Sequence, residues 1–140
     1  MSESRPYIRP GFVMAHIANP IMRRLGVVPT LTVRGRTSGE MRTLPLGRPL
    51  EFRGQRYIVS GRGNTQWARN LRAAGVGEFR FHGQRERFRA VELEGVERDE
   101  VVRAYRERLG RSVDRYFAQI PDPADHPVFR MDPAEPGPNG

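Results

Sequence analysis

The sequence contains no cysteine, which excludes disulfides, thiolate metal ligands and thiol nucleophiles. Histidine is scarce, and because His16, His82 and His126 lie far apart we expect no histidine metal site. No apolar run approaches the roughly 20 residues of a membrane-spanning helix, and the first residues lack an apolar signal region. The 140 residues therefore predict one cytoplasmic domain of ordinary size.

Lysine is also absent, so all 24 basic residues are arginine, and the 16 acidic residues leave a net charge of +8. A GC-rich coding sequence explains the preference for arginine over lysine, but not the excess of base over acid. A chain this basic is expected to attract polyanions such as nucleic acid, acidic lipid or a phosphorylated cofactor. Arginine suits such partners because its planar guanidinium binds phosphate and carboxylate oxygens in pairs.

Apolar residues that alternate with polar ones predict five or six short strands, separated by glycine-rich turns. These strands are predicted at residues 29–36, 42–52, 56–60, 76–82, 84–93 and 126–132. Because Pro45 and Pro49 cannot donate to a regular ladder, the second strand is expected at a sheet edge or at a bulge.

Helical spacing of apolar residues predicts three helices that follow or separate these strands. They are expected at residues 65–74, 97–109 and 112–120, and one or two further helical turns at 12–25 are interrupted at Pro20. Few of the strands are joined by crossover helices, which disfavours a parallel sheet. The pattern predicts a mainly β, α+β fold, namely a small antiparallel barrel with peripheral helices.

Two segments have the chemistry of an anion site. In the first, the turn at residues 34–39 and the following Arg42 would present two guanidinium groups, two hydroxyls and backbone N–H groups. In the second, a glycine turn at residues 61–65 leads into a helix, where free N–H groups and the helix dipole favour an anion. A solvated polar hairpin and an ordinary glycine loop are the alternative interpretations.

Other catalytic motifs are missing. No serine lies in a Gly-x-Ser-x-Gly elbow, and no carboxylates cluster as in glycosidases or metal sites. The Gly-x-Gly at residues 61–63 lacks the third glycine of a dinucleotide-binding turn. If the chain is an enzyme, its reactive group is therefore expected to come with a cofactor.

Four segments, taken in order, resemble the deazaflavin-dependent nitroreductase family. They are LTVRGRTSG at residues 31–39, RTLPL at 42–46, YIVSGRG at 57–63 and WARNLRA at 67–73. The similarity extends from about Pro29 to Leu93, with a weaker one at Tyr116-Phe117 and residues 126–129. The resemblance implies a split β-barrel like that of the flavin mononucleotide-binding pyridoxamine oxidases, and the deazaflavin coenzyme F-420 as cofactor. On this basis we expect a split-barrel domain at 29–132, an arm and helix at 1–28, and a disordered tail at 133–140.

The same resemblance implies three groups of cofactor-binding residues. The family's hairpin binds the coenzyme phosphate, its Pro-Leu pair lies against the deazaflavin ring, and its glycine loop runs along the cofactor. By position these groups are Arg36, Thr37, Ser38 and Arg42; Pro45 and Leu46; and Ser60, Arg62, Gly63 and Asn64. Trp67 and Asn70 match the family's Trp-x-x-Asn, whose role is either structural or cofactor-binding. A groove lined by Arg36, Arg42 and Arg62 is what the coenzyme's phosphodiester and oligoglutamate tail require.

The resemblance implies a reductase that passes hydride from reduced deazaflavin to a quinone, a nitroaromatic or a similar electron-poor acceptor. Tyr116 is the candidate O–H donor to that acceptor, and packing in the core is its alternative role. A homodimer is expected, as is weak contact of the 12–25 helix with a membrane surface. Other interpretations are a barrel that binds flavin mononucleotide, lipid or haem without reductase activity, and, less favoured, a basic nucleic-acid-binding module.

Overall fold

The computed structural model describes Pro6 and residues 28–134, which form seven antiparallel strands and three α-helices. The strands are β1 (Thr30–Arg34), β2 (Met41–Pro45), β3 (Leu50–Phe52), β4 (Gln55–Val59), β5 (Val76–Phe81), β6 (Gln84–Glu92) and β7 (Val128–Pro133). The helices are α1 (Gln66–Ala74), α2 (Gly95–Leu109) and α3 (Arg111–Gln119), with a short 3-10 turn at Pro123–Asp125. The helix predicted at 12–25 lies outside the described residues. Within residues 28–134, no helix is long and apolar enough to cross a membrane.

The order of the strands shows that the sheet closes on itself. The order is β2-β1-β5-β6-β7-β4-β3, so the consecutive strands β2 and β3 stand at opposite edges. In a flat sheet those edges would lie about 29 Å apart at the usual strand spacing. The five residue steps from Pro45 to Leu50 reach at most about 18 Å. The sheet must therefore curl into a barrel, which confirms the predicted fold.

The predicted strand at 42–52 is wrong in one respect, because it is two strands rather than one. β2 ends at Pro45, and β3 begins at Leu50, directly after Pro49. Neither proline can donate to a ladder, so the chain leaves one edge of the sheet there and joins the other. The described strands therefore number seven rather than five or six. Both strands are edge strands, as the prolines predicted, and β7 continues one residue past the expected boundary at 132.

Two apolar clusters hold the helices on the sheet. One buries the face of α1 that carries Trp67 and Leu71 against strand residues such as Phe88 and Phe129. The other buries residues of α2 and α3 against β3 and β4. Helix α1 begins where the Thr65 hydroxyl accepts a hydrogen bond from the Ala68 N–H, and it ends at left-handed Gly75. The helical spacing therefore identified the buried face of α1 correctly.

Gly77 of β5 packs closely against residues of the first cluster. A Cβ atom there would lie 3.0 Å from Phe88 Cζ, 3.1 Å from Leu71 Cδ1 and 3.2 Å from Leu31 Cδ1. We expect Gly77→Ala to lower the free energy of unfolding by about 1–3 kcal/mol, because the extra methyl overpacks a filled core. The measurement is urea unfolding, with Gly47→Ala as the control, since a Cβ atom at Gly47 meets nothing within 4 Å. Equal effects of the two substitutions would contradict the packing argument.

Candidate active site

A cavity of about 660 Å³ lies where the two edges of the sheet approach each other. Its size falls within the usual range of small-molecule sites. Its walls come from the end of β2 and the connection to β3, from β4 and the loop after it, and from all three helices. The lining residues are Leu44, Pro45, Leu46, Gly47, Arg48, Pro49, Leu50, Tyr57, Ile58, Val59, Ser60, Gly61, Arg62, Trp67, Tyr105, Arg108, Leu109 and Tyr116.

The structure separates the expected site residues into two groups. Six of them line the cavity: Pro45, Leu46, Ser60, Arg62, Trp67 and Tyr116. The other seven lie on the β1–β2 hairpin, in the glycine loop or on α1, outside the cavity lining: Arg36, Thr37, Ser38, Arg42, Gly63, Asn64 and Asn70. Trp67 both borders the cavity and packs in the core, where its ring centroid lies 6.3 Å from that of Phe129.

The β1–β2 hairpin brings Ser38 and Arg42 together. A Cβ atom on Gly35 would lie 2.8 Å from Ser38 Oγ and 3.3 Å from Arg42 Nε, so only glycine leaves both side chains room against the backbone. Gly39 closes the turn with a φ of 77°. Thr37, Ser38 and Arg42 are exposed. They offer hydroxyl and guanidinium donors to an anion at the surface.

Arg36 is held by helix α1 through hydrogen bonds to neutral amide oxygens, and its side chain stays exposed. The Arg36 backbone N–H and Nη1 both donate to Asn70 Oδ1, at 3.1 and 2.7 Å. Arg36 Nη2 donates to Gln66 Oε1 at 2.9 Å. Asn70 is buried, so its amide oxygen fixes the hairpin on the helix. The asparagine of the Trp-x-x-Asn pattern is therefore a positioning residue for the hairpin.

Three backbone N–H groups of the loop between β4 and α1 already donate hydrogen bonds within the protein. The expectation that the N–H groups of this loop are free for an anion is therefore wrong for these three. The N–H of Gly63 donates to the Ser60 carbonyl, that of Asn64 to the Pro6 carbonyl and that of Thr65 to the Gly63 carbonyl, at 3.2, 3.1 and 2.8 Å. Ser60 Oγ donates to the Gly63 carbonyl at 2.5 Å. These hydrogen bonds fix the shape of the loop. The charged side chain that the loop contributes to the cavity is that of Arg62.

Arg62 carries an unsatisfied donor. Its Nη1 is buried and has no hydrogen-bond partner among the described residues. Burial lowers the pKa of the Arg62 guanidinium from its ordinary value, and Tyr116 opposes the shift. Arginine nevertheless stays charged at neutral pH. A buried guanidinium N–H without an acceptor costs free energy that a ligand oxygen would recover. The cavity thus fits a planar ring system that carries oxygen acceptors, as a deazaflavin does.

Tyr105 of α2 is a cavity residue that sequence reasoning missed. A Cβ atom on Gly61 would lie 2.6 Å from the Tyr105 hydroxyl oxygen and 3.4 Å from Tyr116 Cδ2, so both tyrosines close on this glycine. Burial, and to a lesser extent Tyr116, raises the pKa of Tyr105 to about 12, and its hydroxyl therefore keeps its proton at neutral pH. In the sequence Tyr105 shares a helix face with Val101 and Leu109, which is also the pattern of a core residue.

His126 connects the glycine loop to the end of α3. Its ring is fully buried, with Nε2 at 2.6 Å from the Ile120 carbonyl oxygen and Nδ1 at 3.2 Å from that of Ser60. The ring stacks on Phe117 at a centroid distance of 4.1 Å. His126 thereby fixes the loop that carries Arg62 relative to the helix that carries Tyr116.

Solved structures share this fold. The F420-H2 dependent reductase FDR-A is 24% identical, with a TM-score of 0.53, over 75% of this chain and 93% of that one. A protein described as a domain-swapped dimer is also 24% identical, with a TM-score of 0.54, over 75% and 79%. HutZ, the heme storage protein from Vibrio cholerae, is 17% identical, with a TM-score of 0.54, over 83% and 87%. At these identities the likeness establishes the fold alone.

The sequence itself identifies the family. No curated protein matches the chain. The family model described as F420H(2)-dependent quinone reductase matches residues 13–119, which is most of the chain and includes the hairpin, the glycine loop and all three helices. This match confirms the resemblance to deazaflavin-dependent reductases. The chain belongs to the F420H(2)-dependent quinone reductase family.

Proposed function

We propose that this oxidoreductase reduces a quinone, a nitroaromatic or a similar electron-poor acceptor inside the cavity, with coenzyme F-420 as its redox cofactor. The observation that carries the proposal is the buried, unpartnered Arg62 Nη1 at the wall of an otherwise largely apolar cavity. Family membership makes F-420 the cofactor rather than flavin mononucleotide. When bound, the reduced deazaflavin supplies the hydride.

Strand β2 would align the cofactor with the cavity. Arg42 lies at the hairpin end of β2, and Pro45 lies at its cavity end, about 10 Å further along at the usual rise per residue. Thr37, Ser38 and Arg42 would hold the phosphate at the surface, while Pro45 and Leu46 would border the ring. The apolar walls around Pro45 would exclude water from the ring. Arg62 lies in the cavity, so we assign it to the ring and acceptor rather than to the oligoglutamate tail.

The chain's own residues would stabilise the charge that reduction creates. A quinone takes up a hydride and a proton to become a hydroquinone, and negative charge develops on its oxygen before the proton arrives. Donors aimed at that oxygen lower the barrier. We assign this role to the Arg62 guanidinium and the Tyr116 hydroxyl. The Tyr105 hydroxyl, which lies against Gly61, would shape the wall.

Ion pairs across the described surface weigh against the nucleic-acid alternative. Carboxylates engage several arginines: Arg53 with Glu100, Arg56 with Glu86, Arg72 with Glu92 and Arg130 with Asp132. These pairs reduce the positive charge that a polyanion would meet.

A homodimer remains part of our proposal and is supported by the neighbour described as a domain-swapped dimer. The expected membrane contact involves residues 12–25, which lie outside the described residues.

Replacement of Arg62 tests the proposal most directly. We expect Arg62→Met to lower kcat/KM by about 10- to 100-fold, because the oxygen of the acceptor loses its charged donor. The midpoint of thermal unfolding should stay the same or rise, since the substitution removes a partly desolvated charge that has no partner among the described residues. Steady-state kinetics and calorimetry measure the two effects, with exposed Arg103→Met as the control. A lower midpoint with full activity would show that Arg62 is structural.

The two tyrosines offer a matched pair of substitutions. We expect Tyr116→Phe to lower turnover by about 10- to 100-fold without changing the affinity for F-420, because only the donor to the acceptor is lost. Tyr105→Phe should change turnover by less than about threefold, since its hydroxyl abuts Gly61. Turnover with several acceptors measures both. If Tyr116→Phe is as active as the unsubstituted chain, Tyr116 only packs in the core.

The hairpin assignment predicts a salt-dependent effect. We expect Arg42→Gln to weaken F-420 binding about tenfold at low ionic strength, since a charge-assisted hydrogen bond contributes roughly 1.5–3 kcal/mol. The difference should shrink in high salt. A fluorescence titration measures the affinity, and Arg111→Gln on α3 is the exposed control. If Arg42→Gln leaves the affinity for F-420 unchanged, the phosphate binds elsewhere.

A further inference from the structure

The mouth of the cavity is formed by two elements. Most lining residues are buried or half-buried, and the exposed ones are Gly47 and Arg48, in the connection between β2 and β3, and Arg108 and Leu109, at the end of α2. A molecule that enters the cavity therefore passes between two guanidinium-bearing segments. The connection and the helix end are far apart in sequence, and both contribute exposed residues to the lining of this cavity.

The arginines of the cavity have no counter-charge. No acidic residue is present among the described residues that line it. Neither Arg48 nor Arg108 forms an ion pair with any residue from 28 to 134. Arg48 lies over the Phe81 ring, 5.0 Å from its centroid, a contact that holds the side chain without cancelling its charge. A cleft with charges of one sign and apolar walls focuses the field on a ligand of opposite sign.

The helix dipole accounts for only one of the two arginines. Arg108 lies in the last turn of α2, where a cation complements the partial negative charge of the helix end. Arg48 belongs to no helix and lines the cavity from the connection between β2 and β3. Two unpaired guanidinium groups from separate elements at one opening therefore favour recognition of a ligand's anionic group.

We propose that the acceptor carries an ionised acid on a short arm, with its electron-poor ring in the apolar cavity and the acid between Arg48 and Arg108. This inference rests on the proposed function, because it specifies the acceptor of that same site. Carboxylate and sulfonate are the suitable groups, since a guanidinium binds their oxygens in pairs. Arg48 and Arg108 are then the residues that set acceptor specificity.

A matched pair of acceptors separates the acid from the ring. The probes are a 1,4-benzoquinone with a short carboxyalkyl side chain and the methyl ester of the same compound, whose rings have the same electron demand. The full chain, saturated with reduced F-420, should show a kcat/KM at least about tenfold higher for the acid than for the ester. Arg108→Gln and Arg48→Gln should each reduce that ratio about fivefold or more, mainly through the KM of the acid. Arg103→Gln, on the same helix but outside the cavity lining, should leave the ratio unchanged.

Binding measured without turnover distinguishes this inference from the proposed function. Trp67 is the only tryptophan of the chain and lines the cavity, so quenching of its fluorescence reports quinone binding. Tighter binding of the acid that depends on Arg108 supports the inference even if neither quinone is reduced, which would count against the proposed function alone. Equal affinity for acid and ester, or equal weakening of both by Arg108→Gln, overturns the inference. An effect of Arg108→Gln on F-420 affinity instead of quinone affinity would assign the mouth to the cofactor's tail and also overturn it.

Discussion

A connection of only four residues, 46–49, joins two strands that stand at opposite edges of the same sheet. Its limited reach forces the sheet to curl, and the curl creates the barrel and the cavity at its seam. The connection itself forms one wall of that cavity, with Pro45 and Leu50 at its two ends. Without this closure Pro45, at the end of β2, and Leu46 after it would lie far from the loop that carries Arg62. The site therefore depends on the short length of this connection as much as on side-chain chemistry.

Charge in this protein is divided between two uses. Several arginines of the described sheet and helices pair with carboxylates, as Arg72 does with Glu92 through two hydrogen bonds. Surface pairs of this kind contribute little to stability, but they remove net positive charge from the faces they cover. The arginines around the cavity have no such partners among the described residues. Arg48, Arg62 and Arg108 thus leave uncompensated positive charge where an anionic ligand would enter.

Local patterns predicted much of the fold. The alternation in β1, the face of α1 and the left-handed glycine after that helix follow from neighbouring residues, and the structure confirms them. The division of residues 42–52 into two strands was not predictable, because it depends on which edge each half joins. Similarly, the loop at 61–65 looked open to an anion, but Pro6, remote in sequence, accepts one of its N–H groups. In both cases the structure depends on contacts between residues that are far apart in the sequence.

The candidate site was predictable only where a resemblance supplied the residues. Arg36 illustrates the limit, because its hydrogen bond to Asn70 of a distant helix could not be read from the motif. Arg62 could be located in the loop from the sequence, but its buried and unpartnered state depends on the walls that surround it. Tyr105, Arg48 and Arg108 gave no signal, since a tyrosine on an apolar face and arginines in a basic chain are ordinary features.

The contact between Gly61 and Tyr105 limits how this family member can change over evolutionary time. Any side chain at position 61 would meet the Tyr105 hydroxyl oxygen at 2.6 Å, whereas the ring carbon behind it lies at 3.4 Å, an ordinary contact distance. A methyl at position 61 therefore requires the Tyr105 side chain to move, whereas prior loss of the hydroxyl removes the 2.6 Å contact. The two positions are coupled in this way although they lie on different elements. Relatives that carry a larger residue in the loop are accordingly expected to have a shorter one on the helix.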